Sequence, residues 1–322
     1  MRVGVVGHGV VGRRVVANLA RRPEVDEILL VSTRRSVAGA HPKVSAADER
    51  AVRSEADVVV LATPWPQHPQ AQVLLEAGLA VVTTSDDCGD VEALVSLERL
   101  ANQVQRALVV GAAASPGLTG LLARMAAEEL DAVDEIHVAL HGTGGPACAR
   151  QHHDALGMAS RAWHDGAWQE RPGGTGRELC WFPDPVGAHD CYRAALPDPI
   201  LLHRVFPAAA RITARVTATR RDRLTARLPM LRPPHPEALE GAVRVEVRGA
   251  LGEARGTVVM GVAAPLGSVT GAVAATMAAS ALPPGLVVSG DAGLPTADLL
   301  RDITAEDLAV HRFVGTASQT SW

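Results

Sequence analysis

The chain is poor in lysine: Lys43 is the only one among 31 basic residues, so Schiff-base and lysine acid chemistry rest on one side chain. Cysteine is scarce as well. Four thiols in 322 residues, Cys88, Cys148, Cys180 and Cys191, make no disulfide framework and predict a reduced, cytoplasmic protein. There is no basic excess, and a formal net charge of -4 excludes the electrostatic footprint of a nucleic-acid or anionic-membrane partner. The opening MRVGVVGHGV runs directly into a strand-like segment without a charged leader, a long apolar region or a cleavage site, so no export signal is expected. Charge is absent from 256 to 290, a length that invites a membrane-spanning assignment. Gly261, Pro265, Gly267, Gly271, Pro283, Pro284 and Gly285 divide that stretch into a strand of about eight residues and a helix of about fourteen, which predicts buried core.

What is present is an alternation of strand and helix. Apolar runs at 2–6, 27–31, 57–62, 80–84 and 107–111 read as strands, and helical spacing over 10–22, 67–77 and 91–104 fills gaps between them. Near-continuous β runs joined by helices predict a parallel, doubly wound α/β sheet covered on both faces, the Rossmann arrangement. The pattern changes beyond Pro116. A helix over 117–130 leads to a strand at 135–140, then to a stretch rich in Gly, Pro, Trp and His. Hairpin-like strands follow at 212–218, 243–248 and 256–262, where VRVEVR alternates as a half-exposed antiparallel strand does. The expected organisation is a dinucleotide-binding domain over 1–128, an α+β substrate and dimerisation domain over 129–266, and a C-terminal helical segment over 267–322 able to pack back on the first domain.

Gly7-His8-Gly9-Val10-Val11-Gly12 is a GxGxxG run that follows a strand and opens a helix. In that setting Gly7 serves the tight turn, Gly9 the close approach of a pyrophosphate, and Gly12 helix–strand packing. The helix N-terminus, with Val10 and Val11 in its first turn, offers unpaired N–H groups and a positive dipole end. At the end of the second strand, Ser32, Thr33, Arg34 and Arg35 stand where NAD-binding chains carry a carboxylate for the ribose 2′-hydroxyl. Guanidinium forks bind a 2′-phosphate, so NADP is favoured over NAD. The alternative is that Arg34 and Arg35 form a solvated turn that leaves the choice unset. Ala62, Thr63 and Pro64 end the next strand at the carboxyl edge, where Thr63 can face a dinucleotide, while His68 starts the following helix.

Four segments, GHGVVG (7–12), LATPWPQHPQAQVLLEAG (61–78), VVTTSDD (81–87) and GAAASPGLTGLLAR (111–124), resemble the saccharopine dehydrogenase-like group of nicotinamide-dependent oxidoreductases. Broader relatives are the glucose–fructose oxidoreductase-like and diaminopimelate dehydrogenase-like enzymes. The resemblance covers about the first 125 residues and implies a nicotinamide held near Thr63, Pro64, Ser85 and the turn at Ala114. It also implies a second domain that contacts substrate and pairs subunits, hence a homodimer. One departure is chemical. The glucose–fructose type carries Glu-Lys-Pro where this chain reads Thr84-Ser85-Asp86-Asp87, without a lysine.

Hydride transfer needs a group that moves a proton and a group that holds the substrate carboxylate. His152 and His153, after the glycine loop that starts at His141, are the acid/base candidates. Arg150, Arg161, Arg177 and Arg193 are candidate carboxylate clamps. Cys148 and His152, four residues apart, together with Cys180, His189 and Cys191, supply soft ligands, but no CxxC occurs and no metal is expected. Asp198, between two prolines, reads as a turn. The expected activity is NADP-dependent hydride transfer to or from a small polar substrate such as an amino acid, an imine or an opine-type adduct. The alternative is an NADP-binding sensor or scaffold without turnover.

Overall fold

The computed structural model describes residues 1–32, 41–230, 240–305 and 308–317. The first elements are β1 (Arg2–Val6), α1 (Val10–Ala20), β2 (Glu27–Val31), β3 (Val44–Ala46), α2 (Glu49–Glu55), β4 (Val58–Leu61), α3 (His68–Glu76), β5 (Ala80–Thr83), α4 (Cys88–Ser96), α5 (Glu98–Val104) and β6 (Ala107–Val110). Next come α6 (Leu118–Ala127), β7 (Ala132–His141), α7 (Pro146–Gly157), β8 (Ala159–His164), β9 (Ala167–Pro172), β10 (Glu178–Trp181), β11 (Ala188–Arg193), α8 (Asp198–Val205), β12 (Arg211–Thr217), α9 (Arg220–Thr225), β13 (Ala242–Leu251) and β14 (Ala254–Ala263). The last are α10 (Leu266–Ala279), β15 (Gly285–Val288), α11 (Thr296–Thr304) and β16 (Val310–Ala317). No helix among the described residues is long and apolar enough to cross a membrane.

Two compact units result. The first comprises Met1–Gly117 and Gly267–Ser289, the second Leu118–Leu266 and Gly290–Trp322. The boundary therefore falls at 117/118 where 128/129 was expected, and residues 267–322 are divided between the units rather than forming one helical segment. Two strands lie in that segment, β15 and β16, each added to a different sheet.

The first unit is a seven-stranded parallel sheet in the order β15-β6-β5-β4-β1-β2-β3. Its central strands are apolar on both faces, as VVVL of β4 shows with all four residues buried, which a sheet sandwiched between helices requires. The helix expected over 91–104 is two, α4 and α5, meeting at Leu97. α10 uses small residues to approach α1 closely: a Cβ on Gly271 would stand 2.3 Å from Cβ of Arg14.

The second unit is a mixed sheet, β10-β11-β12-β7-β13-β14-β16, with β8 and β9 attached beside β12. β13 and β14 form the expected hairpin, but β12 lies parallel to β7. Val243, Val245 and Val247 are fully buried, as alternation predicts. Glu246 on the opposite face is also buried at 7%, because Arg244 and Arg248 both pair with its carboxylate. Burial pushes that carboxyl up, yet the two guanidiniums outweigh it and hold it below the usual range. Asp198 opens α8 rather than a free turn, and it accepts a 2.6 Å hydrogen bond from Thr119 Oγ1.

Candidate cofactor and substrate sites

In the first unit the glycine turn separates three steric roles. Gly7 has φ +106°, and a Cβ there would lie 2.6 Å from the Ala62 carbonyl oxygen. A Cβ on Gly12 would meet the Gly7 carbonyl oxygen at 2.1 Å, so helix and strand touch backbone to backbone. Gly9 has nothing within 4 Å of its Cβ position and is exposed. It is also the N-cap of α1, with no side-chain cap and no acidic residue in the first turn. A turn whose outer glycines are required by packing and whose middle glycine faces open space suits a phosphate group, which unmet N–H groups and the helix dipole favour.

Val10 and Val11 are half-buried in the first turn of α1, and Ser32 directly follows β2. Thr33, Arg34 and Arg35 lie outside the described residues. Ala62 and Thr63 follow β4 half-buried, and Pro64 is exposed. Ser85, beyond the end of β5, is buried at 2% with an Oγ that has no hydrogen-bond partner. Such an orphan costs free energy unless a ligand or water meets it. Ala114 is buried, and its N–H already donates to Thr270 Oγ1 at 3.0 Å.

Two buried polar residues, Gln67 and Asp90, tie this edge together. Gln67, 1% exposed, donates from Nε2 to the Thr63 carbonyl at 2.6 Å and to Thr84 Oγ1 at 3.3 Å, while its Oε1 accepts from Thr84 N at 3.0 Å. The Asp90 carboxylate accepts from Gln67 N at 2.9 and 3.0 Å and from His68 N at 3.0 Å, capping α3 from α4. In the sequence Gln67 is only the polar first residue of the helix expected over 67–77, and nothing local marks its partners Thr84 and Asp90.

The second unit contains a cavity of about 750 Å³ at the ends of β7 and β12, whose wall includes His141, His152, His153, Arg177, His189 and Asp190. His152 is buried, and burial pushes its pKa down to about 4. Its Nε2 lies 3.6 Å from Cys148 Sγ, the contact expected of residues four apart on α7. Its Nδ1 is buried without a protein partner. The His153 ring donates from Nε2 to the Leu228 carbonyl at 3.0 Å, which leaves Nδ1 as the acceptor.

His141 and His189 face each other with ring centroids 4.3 Å apart, flanked by Phe182. Burial lowers the pKa of His141, the neighbouring His189 lowers it further, and Glu240 opposes both. Of the four candidate arginines, Arg177 alone lines this cavity, held by Asp190 Oδ1 at 2.9 Å from its Nε. Arg161 instead lies over the Trp168 ring, Arg193 reaches Thr175, and Arg150 is exposed on α7. Among the described residues no three of Cys148, His152, Cys180, His189 and Cys191 bring their ligand atoms together. Cys180 and Cys191 sit in a small apolar cluster with Phe182, Ala139 and Ala242.

No family model and no curated protein matches the sequence. Solved structures do match over nearly the whole chain. Apo saccharopine dehydrogenase (L-Glu forming) from Saccharomyces cerevisiae superposes with a TM-score of 0.69 at 15% identity, covering 98% of this chain and 99% of that one. The fold is shared with such dehydrogenases. A multiply substituted meso-DAPDH with DAP from Clostridium tetani gives 0.54 at 14% identity over 92% and 95% of the two chains. An amine dehydrogenase from Mycobacterium smegmatis gives 0.50 at 13% identity over 89% and 94%.

Proposed function

We propose that the protein is an NADP-dependent oxidoreductase that transfers hydride to or from a small polar substrate, an amino acid, an imine or an opine-type adduct. The observation that carries this reading is the Gly7–Gly9–Gly12 turn, in which only Gly9 looks onto open space at the mouth of α1. The fold neighbours support the substrate class, since their names specify dehydrogenases of saccharopine and of an amine.

When bound, the nicotinamide supplies or accepts the hydride. The chain's own part is to hold and to move protons. Gly9 and the first turn of α1 receive the pyrophosphate, with Gly7 and Gly12 fixing the turn. The Ser85 hydroxyl, with Thr63 and Pro64, serves the nicotinamide end. Ser32, Thr33, Arg34 and Arg35 supply hydroxyls and cations but no carboxylate for the adenosine ribose, which favours the 2′-phosphate form. In the second unit Arg177 holds a substrate carboxylate. His153, whose Nε2 is committed to Leu228, offers Nδ1 as the proton acceptor. His152, neutral well below pH 7, orients substrate or shares that role. The proposal includes a homodimer, as the resemblance over about the first 125 residues implies.

The test is a fluorescence titration with NADPH and NADH, followed by addition of paired amino acids and keto acids. Saturable binding that favours NADPH, and its oxidation by at least one mixture, is the expected result. Binding of neither dinucleotide eliminates the reading.

A further inference from the structure

The ladder between β4 and β5 ends with the pair Leu61 and Thr83, after which the two chains separate. Beyond that pair the gap is bridged by one buried side chain. The Gln67 amide uses both of its ends, Nε2 on the Thr63 carbonyl and Thr84 Oγ1, Oε1 on the Thr84 N–H. A flipped amide would set oxygen against the Thr63 carbonyl oxygen, so this orientation is fixed by the network. Thr84 Oγ1 in turn donates to the Leu61 carbonyl at 2.9 Å, and Asp90 anchors the Gln67 backbone. The residues held in this way are the outward ones: Thr63 and the half-exposed Trp65 on one side, and Ser85 with its unpartnered hydroxyl on the other.

In a doubly wound sheet the dinucleotide crosses the carboxyl edge at the point where strand order reverses, here between β1 and β4. One half lies toward β2 and Ser32. The other half lies toward β4 and β5, over the segments that Gln67 joins. We propose that Gln67 is a positioning residue for the nicotinamide half of the site, setting the spacing between Thr63 and Ser85. This rests on the proposed cofactor. A buried amide that touches no ligand then acts through the backbone atoms it fixes, and its loss should be felt by one half of the dinucleotide only.

That asymmetry separates positioning from general support of the fold. The experiment compares affinities for NADPH and for 2′-phospho-ADP-ribose, which lacks the nicotinamide, in the wild type and in Gln67→Leu, with NADH and ADP-ribose as a second pair. Thermal unfolding is followed alongside. The expected result is a loss of about tenfold or more for NADPH with the fragment retained within about twofold, whatever the change in melting temperature. Thr84→Val, which removes one partner of the same amide, is expected to shift the ratio in the same direction by less, and it serves if Gln67→Leu does not fold. Parallel weakening of both ligands, or an unchanged ratio in every folded variant, overturns the proposal. A wild type that binds neither NADPH nor the fragment fails at the earlier step and removes the proposed cofactor itself.

Discussion

Gly12 lies so close to Gly7 that a Cβ on Gly12 would stand 2.1 Å from the Gly7 carbonyl oxygen, whereas Gly9 between them has nothing within 4 Å. The same residue type therefore has opposite tolerances within one turn. Gly12→Ala must displace backbone and is expected to cost about 3 kcal/mol or more of stability in urea unfolding. Gly9→Val is expected to keep the melting temperature and to lose NADPH binding, because the added side chain occupies the space where a phosphate would sit. A folded Gly9→Val protein with unchanged affinity would reduce the turn to a structural device.

Cofactor choice is checked at the end of β2. The double variant Arg34→Ala, Arg35→Ala is expected to weaken NADPH by about 2–4 kcal/mol, at roughly 1–2 per lost charge-assisted contact, and to leave NADH nearly unchanged. Equal weakening of the two dinucleotides would mean that the arginines do not read the 2′-phosphate.

Arg177 is tested through substrate rather than cofactor. Once a substrate is found, Arg177→Gln should raise KM by roughly tenfold to a hundredfold, the loss of one charged hydrogen-bonding partner, with NADPH affinity unmoved. A KM equal to the wild-type value would assign the carboxylate to another group.

The two adjacent histidines should separate kinetically. His153→Asn is expected to reduce kcat by about 10²–10⁴, the range for loss of a general acid or base, with cofactor affinity within about twofold. Full turnover in both His153→Asn and His152→Asn would exclude this pair from the proton step.

His152 also predicts a pH dependence of stability. Its pKa is about 4 in the folded chain, against an ordinary value of about 6.5 when unfolded. Above the unfolded value both states are neutral and no difference arises. As pH falls through that value the unfolded state takes up a proton that the native state refuses, so stability declines until the native pKa is reached. The whole window amounts to about 3 kcal/mol. Urea unfolding at intervals from about pH 7 to pH 4 should show a steeper decline for the wild type than for His152→Asn. Parallel curves would show that the ring is hydrated or paired when charged.

Local patterns made much of this visible in the sequence. The run RVGVV followed by GHGVVG specified a strand, a turn and a helix, because each signal lies within one element. Apolar runs such as VVVL likewise announced a doubly covered sheet. Periodicity states which face of an element is apolar and is silent about which neighbour covers it. The parallel pairing of β12 with β7 and the insertion of β15 beside β6 are such choices of neighbour. The site divides along the same line. Gly7, Gly9 and Gly12 fall within six residues, so their turn could be expected from the sequence. Gln67 meets Thr84 and Asp90, and His141 meets His189, only after the chain has folded.

The crossing of the chain between units has a consequence during synthesis. Met1–Gly117 leaves the ribosome with β6 at the edge of its sheet, because the strand that pairs with β6 belongs to Gly267–Ser289. At about 5–20 residues per second, making the intervening chain takes roughly 10–35 s. Throughout that interval the nascent chain presents an open, apolar edge of four residues, ALVV, in search of a strand. GLVV of β15 closes it late, so a ribosome-stalled chain ending before residue 285 should engage chaperones that a chain carrying β15 escapes.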